Sequence, residues 1–221
     1  MQDHGWTPRQ AMYQRSRTKD PLYATHCVRF RKDLPSVGEE FPEIAIFNSH
    51  NGKAAAQIIA AYFRVICSNG MVVMTEKFDS FRIQHRGYKA NTSYIDYAID
   101  VTTRNTERVQ DTVHLWKELE MPYLMRRDYY KKAMDIRFPD HNDFENIVFD
   151  IPQRAQDEGS DMWSTFNRAQ EYLEQGGYPV THGVDKAPRA ARELTSVTKL
   201  QEVNEKLWSM TEEFVSVPNR F

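Results

Sequence analysis

The sequence predicts an α+β protein, an N-terminal antiparallel sheet rich in hairpins followed by a helical C-terminal half. Three observations carry that prediction. Apolar and polar residues alternate with period two in the first third of the chain, as in half-buried strands. Two Asn-Gly pairs, Asn51-Gly52 and Asn69-Gly70, punctuate that region, and both residue types tolerate the positive φ of tight hairpin turns. After Lys89 apolar residues recur every three or four positions instead, the spacing of one helix face.

In the first strand His26, Val28 and Phe30 alternate with Cys27, Arg29 and Arg31, and Asp33, Pro35 and Gly38 then supply turn chemistry. A second strand, 43–48, runs into the first Asn-Gly pair. Segment 54–67 is ambiguous, because its alanines favour helix whereas Tyr62-Phe63-Arg64-Val65-Ile66-Cys67 favours a buried strand. It is taken as a strand, at least from Ile58. Ser68-Asn69-Gly70 turns the chain, 71–74 continues apolar, and 81–88 alternates. There Phe81, Ile83 and His85 share one face, and Arg82, Gln84, Arg86 and Tyr88 the other.

Asn91-Thr92-Ser93 offers a cap for a long amphipathic helix built on Ile95, Ala98, Thr102, Val109, Val113, Trp116 and Leu119. Pro122 breaks that pattern, a second helix is expected at 126–137, and an Asp- and Pro-containing loop follows at 139–152. A third helix starts after Gly159-Ser160, buries Met162, Phe166, Ala169 and Leu173, and stops at Gly176-Gly177. The fourth, from Ser196, carries Val197, Leu200, Val203, Leu207, Met210 and Phe214. The expected organisation is a basic N-terminal segment, 1–24, before a single α+β domain, 25–221, with the sheet at 25–89 and the helices at 92–214.

A chain of 221 residues can build one sizeable core. Its 40% hydrophobic and 27% charged residues are ordinary for a globular protein, and no apolar run approaches the roughly 18 residues of a membrane span. The opening Met1-Gln2-Asp3-His4-Gly5-Trp6 lacks a secretory pattern, so the expected location is the cytoplasm. Cys27 and Cys67 have neither CxxC spacing nor disulfide-scaffold density and read as buried thiols; a zinc site would need His26 and His85 as well. A net charge of −2 argues against coating duplex DNA by bulk attraction. The charge is nonetheless segregated. Arg9, Arg15, Arg17, Lys19, Arg29, Arg31 and Lys32 oppose only Asp20, whereas 135–161 is dominated by acids. That allows a basic face on a weakly acidic protein, and equally allows plain solvated surface.

The run Asn48-Ser49-His50-Asn51-Gly52, continued by Phe63-Arg64-Val65-Ile66-Cys67-Ser68-Asn69-Gly70-Met71-Val72, resembles the phage- and plasmid-borne proteins grouped as domain of unknown function 932. Trp163-Ser164-Thr165-Phe166-Asn167-Arg168-Ala169-Gln170-Glu171, ending at Gly176-Gly177, is similar to that family's helical motif. Arg189-Ala190-Ala191-Arg192-Glu193-Leu194 with Asn204-Glu205-Lys206-Leu207-Trp208 looks like its closing helix. The resemblance runs from about Thr25 to Phe214 and leaves the segment before Pro21 unaligned. It implies an origin on a bacteriophage or other mobile element and brings no established activity. The strand-strand-strand-helix opening is similar in architecture to single-strand annealing recombination proteins.

No GxxxxGK[ST], GxSxG, HExxH or paired-cysteine motif is present, so no cofactor is expected and enzymatic readings rest on scattered residues. Glu76 with Asp79, or Asp140 with Asp143, are the nearest carboxylate clusters for a metal-dependent nuclease. Both read more simply as turn and surface acids, and Ser49-His50 as turn residues.

Single-stranded nucleic acid needs cations for its phosphates and aromatic platforms for its bases. Arg29 and Arg31 share a strand face, Arg82 and Arg86 share one with Tyr88, and Tyr62 and Arg64 project together. These seven residues form the candidate surface if the faces coincide. Otherwise the tyrosines are core or dimer residues and the arginines pair with acids. Arg64 sits within an apolar strand and should meet a carboxylate, Glu171 being one candidate, or a phosphate. Asn167, Gln170 and Glu171 lie three and four apart and share a helix face. The reading is a non-enzymatic, homo-oligomeric protein that binds single-stranded DNA, annealing or protecting it in replication or recombination. The alternatives are a protein that inhibits a host defence or regulatory protein through its helical half, and a nuclease.

Overall fold

The computed structural model describes residues 5–13, 25–32, 40–49, 56–65, 72–83, 93–139, 155–180, 189–194 and 197–216. Five strands, β1 (Thr7–Tyr13), β2 (Thr25–Arg31), β3 (Glu40–Ser49), β4 (Ala56–Val65) and β5 (Val72–Ile83), form one sheet in chain order, every neighbouring pair antiparallel. Four helices follow: α1 (Ser93–Glu118), α2 (Tyr123–Arg137), α3 (Met162–Gln175) and α4 (Val197–Ser216). Between α3 and α4 a two-residue strand β6 (Pro179–Val180) pairs with β7 (Arg189–Ala190). The architecture is thus α+β, sheet first and helices after. Both Asn-Gly pairs lie outside the described residues, although the strands that flank each are antiparallel neighbours.

Four expectations need correcting. A strand, β1, occupies Thr7–Tyr13 inside the segment set apart as a basic N-terminal extension. The expected break between 71–74 and 81–88 is absent, since β5 runs unbroken from Val72 to Ile83, with Met71 and 84–88 outside the described residues. Glu76 and Asp79 therefore sit within a strand and not in a turn. The register shifts on either side of Glu76 explain the error, because each bulge interrupts the period-two pattern. Finally, Arg189–Leu194 contains β7 and no helix, the closing helix beginning only at Val197.

The chain divides into two compact units, Met1–Asp111 and Thr112–Phe221. In the first, strand alternation sends residues to two faces, and both are apolar at the sheet centre. Cys27, Ala45 and Ile59 form a buried cluster with Phe47 on one face. On the other, Ile44 and Ile58 pack with Trp6 and with Ala98 and Ile99 of α1. Full burial of an Ile or Leu side chain contributes about 1.5–3 kcal/mol, so these central residues hold the sheet.

The second unit is built on aromatic packing. Trp116 meets Trp208 at 4.7 Å and Phe166 at 5.4 Å, and Trp163 stacks on Phe166 at 5.5 Å. Tyr129 packs edge-on against Phe214, and its hydroxyl lies 2.7 Å from Thr211 Oγ1. Helix α3 starts at an Asp161 cap whose carboxylate accepts from the Ser164 N–H at 2.9 Å, a contact worth about 1 kcal/mol. It ends at Gly176, φ 69°, a left-handed conformation that suits glycine. Among the described helices none is long and apolar enough to cross a membrane.

Candidate functional site

Strand register decides which of the sheet residues meet. Arg31 pairs with Glu43, and Arg29 with Ala45 next to it on the same face. Glu43 is fully buried and holds both guanidiniums. Its Oε1 accepts from Arg31 Nε at 2.6 Å, and its Oε2 lies 3.3 Å from Arg29 Nε. Arg29 is only 4% exposed. Burial lowers its pKa, an effect opposed by Glu43 and reinforced by Arg31. The nearby Cys27 thiol is pushed up to about 12, chiefly by burial. This arrangement engages both cations with a carboxylate inside the sheet; Arg31 alone of the pair keeps a partly exposed edge.

The other candidates separate. Arg82 pairs with Gln57, which pairs with Phe47, so the register sets Arg82 on the face of Arg29 and Arg31. Tyr62 and Arg64 pair with Pro42 and Glu40 and belong by register to the opposite face, that of Ile44 and Ile58. Arg86 and Tyr88 lie outside the described residues, as do Cys67, His85, Asp140 and Asp143. Glu171 accepts from Gln175 Nε2 at 2.9 Å. Among the described residues no group of three or more His, Cys, Asp or Glu is placed to hold a metal ion.

A cationic, aromatic-bearing surface does occur on α2. The helix turns Tyr129, Tyr130, Ala133 and Met134 inward, which leaves the opposite side to solvent. Leu124, on that outer side, is 68% exposed, and Tyr123, two turns before Tyr130 and so at the open N-terminal end of the inward side, is 61% exposed. Arg127 and half-buried Lys131 follow Tyr123 at successive four-residue steps, a stripe that the next step ends at exposed Asp135, with Asp128 and Lys132 exposed beside it. Arg126 and Arg137 of α2 make hydrogen bonds to backbone carbonyls. Arg126 Nη1 donates to the Met121 carbonyl at 2.6 Å. Arg137 donates to the Leu173 and Arg192 carbonyls and lies over the Phe138 ring. Just before the helix, on the last turn and a half of α1, Leu115 is 66% exposed and Lys117 is exposed too. The residue list drawn from the sheet pattern missed this surface. Its signal in the sequence is the doublets Arg126-Arg127 and Lys131-Lys132 behind Tyr123-Leu124.

The helical motif turns inward instead of presenting its polar groups to solvent. Asn167, Arg168, Gln170, Glu171 and Glu174 are all buried. Arg168 donates from Nε to the Tyr130 hydroxyl at 3.0 Å and from Nη1 to the Asp157 carbonyl at 3.0 Å. Gln170 Nε2 donates to Asn204 Oδ1 at 3.0 Å, and Asn204 Nδ2 to Glu174 Oε1 at 2.8 Å. These contacts tie α3 to α2 and α4.

A family model described as Domain of unknown function (DUF932) matches residues 1–208. The match reaches into the N-terminal segment that the motif resemblance left unaligned. Among known proteins the chain is similar to "UPF0380 protein YfjQ" of Escherichia coli (strain K12), 32% identical over 203 residues that cover 89% of this chain and 72% of that protein. It is equally similar to "UPF0380 protein YafZ" of the same organism, again 32% identical over 203 residues, with the same coverage. No solved structure matches the chain.

Proposed function

Because the chain belongs to the DUF932 family, whose description assigns no activity, we propose a function from its surfaces: non-enzymatic binding of single-stranded DNA in the cytoplasm. The observation that carries this reading is the α2 stripe, where Tyr123, 61% exposed, precedes Arg127 and Lys131 at one-turn intervals. An exposed ring offers a stacking platform worth about 1–3 kcal/mol per base, and the cations behind it suit the adjoining phosphates. The motif resemblance supports a phage or mobile-element origin, which makes replication or recombination the setting. A few cations on one helix bind weakly, so a homo-oligomer that repeats the stripe along one strand fits the role through effective concentration.

Fluorescence anisotropy with labelled single- and double-stranded oligonucleotides tests it. Tyr123→Ala is expected to weaken single-strand binding about tenfold, in line with one lost stack. Arg127→Glu with Lys131→Glu is expected to weaken it further. Arg82→Ala and Arg86→Ala in the same assay measure the share of the sheet residues. Absence of binding at low salt, or indifference to all of these changes, rejects the reading.

Leu115 and Leu124, 66% and 68% exposed, favour a second reading. Aliphatic side chains offer no π-face to a base, and exposed apolar residues in a cationic rim suit a protein partner. On that reading the helical half binds and inhibits a host defence or regulatory protein. Leu115→Ser with Leu124→Ser then abolishes the biological effect while leaving DNA binding unchanged.

A further inference from the structure

The buried end of the α3 motif carries an unfinished hydrogen-bond count. Glu174 lies at one end of the Gln170–Asn204–Glu174 relay, its Oε1 accepting from Asn204 Nδ2. Asn204 turns its NH2 to Glu174 and its carbonyl to Gln170, which donates from Nε2 and leaves its own Oε1 outside the relay.

Gln170 Oε1 is buried without a hydrogen-bond partner, and so are Asn167 Oδ1 and Trp208 Nε1. Asn167 lies one turn before Gln170 on α3, and Trp208 one turn after Asn204 on α4. The two helices are antiparallel along this seam: Gln170 meets Asn204, and Phe166 meets the Trp208 ring at 5.7 Å. All three side chains are more than nine-tenths buried. Two acceptors and one donor thus lie on adjoining turns of the two facing helices, and buried polar groups seldom go unmatched.

We propose that the α3–α4 seam binds an ordered internal water, donating to Asn167 Oδ1 and Gln170 Oε1 and accepting from Trp208 Nε1. The chemistry selects this guest. A bare cation would oppose the indole N–H, and an anion would oppose two carbonyl oxygens. Water supplies two donors and an acceptor, the pattern by which internal waters satisfy buried groups.

The test is nuclear Overhauser spectroscopy between water and the indole N–H protons of the full chain labelled with 15N, Trp208 being assigned by Trp208→Phe. A cross-peak at the water frequency, with the sign of a molecule bound for longer than nanoseconds, is the expected result for Trp208. Gln170→Leu and Asn167→Leu are each expected to remove it. A high-resolution crystal structure supplies a readout independent of any variant: density for a water within hydrogen-bond distance of all three atoms. Absence of that cross-peak in the unaltered chain, its persistence in both leucine variants, or a protein donor found on the two amide oxygens overturns the proposal.

Discussion

Glu43, itself fully buried, holds two cations with one carboxylate. Removing its charge takes that carboxylate from both Arg29 and Arg31, and breaking a buried pair in this way costs about 3–5 kcal/mol. Glu43→Gln is therefore expected to lower the urea midpoint sharply. Cys27, on the same sheet face, gives a pH dependence with a definite sign. Its thiol titrates at about 12 in the folded chain, against an ordinary 9.0. Above pH 9 the unfolded chain releases that proton and the folded chain retains it, so the unfolded state binds fewer protons and stability falls as pH rises from about 9 to about 12. Tyr178, pushed up to about 12 by burial, acts in the same direction. Urea denaturation at pH 8 and pH 10.5 checks this: Cys27→Ala should lose less stability over that interval than the unaltered chain. The thiol should also resist iodoacetamide until the chain unfolds.

At the scale of the element, α3 is the instructive case. Its apolar positions Met162, Phe166, Ala169 and Leu173 are buried, as helical spacing indicates. Its polar positions are buried as well, and hydropathy periodicity cannot reveal that, because it assigns every charged or amide side chain to solvent. Only the partners on other elements, Tyr130, Asp157 and Asn204, make the burial affordable. The glycine pair after α3 was legible as a stop but not in its division of labour. A Cβ on Gly176 would lie 2.5 Å from the Ala191 carbonyl oxygen, whereas one on Gly177 would meet nothing within 4 Å. Both have positive φ, a strain of about 1–2 kcal/mol for an L-residue. Gly177→Ala should cost about that much, and Gly176→Ala clearly more, since backbone must shift too. Chemical denaturation of the two variants side by side measures the difference. In the sheet β2 follows from alternation and the later part of β4 from its aromatic and β-branched residues, against alanines that favour helix, while β1 does not show, because Pro8 and Arg9 mask its strand character.

For the molecule as a whole, the candidate surface was the least legible level. Alternation placed Arg29 and Arg31 together on a face, as the register does, yet it could not show that a carboxylate from the next strand occupies them. Nor could it show that Tyr62 and Arg64 fall on the opposite face from Arg82, because that depends on the pairing of β3, β4 and β5. The α2 surface depends on which side of that helix the other helices cover, which is a property of packing. If that surface engages phosphates, the salt dependence of binding follows from its charge. Each contacted phosphate contributes about −0.7 to the slope of log affinity against log salt for single strands. Replacing Arg127 and Lys131 by alanine should flatten that slope by about 1.4, whereas replacing Tyr123 should lower affinity and leave the slope unchanged. A titration series at four salt concentrations separates the two effects.

The sheet's strand order, β1-β2-β3-β4-β5, has a consequence for how the chain reaches its native state. Every strand pairs with the one made immediately before it, so no strand waits for a distant segment to be synthesised. Loop-closure entropy is paid in small instalments, one hairpin at a time, and low contact order of this kind favours rapid folding. On a ribosome the N-terminal sheet can assemble as it emerges, before the helices that follow it have been translated.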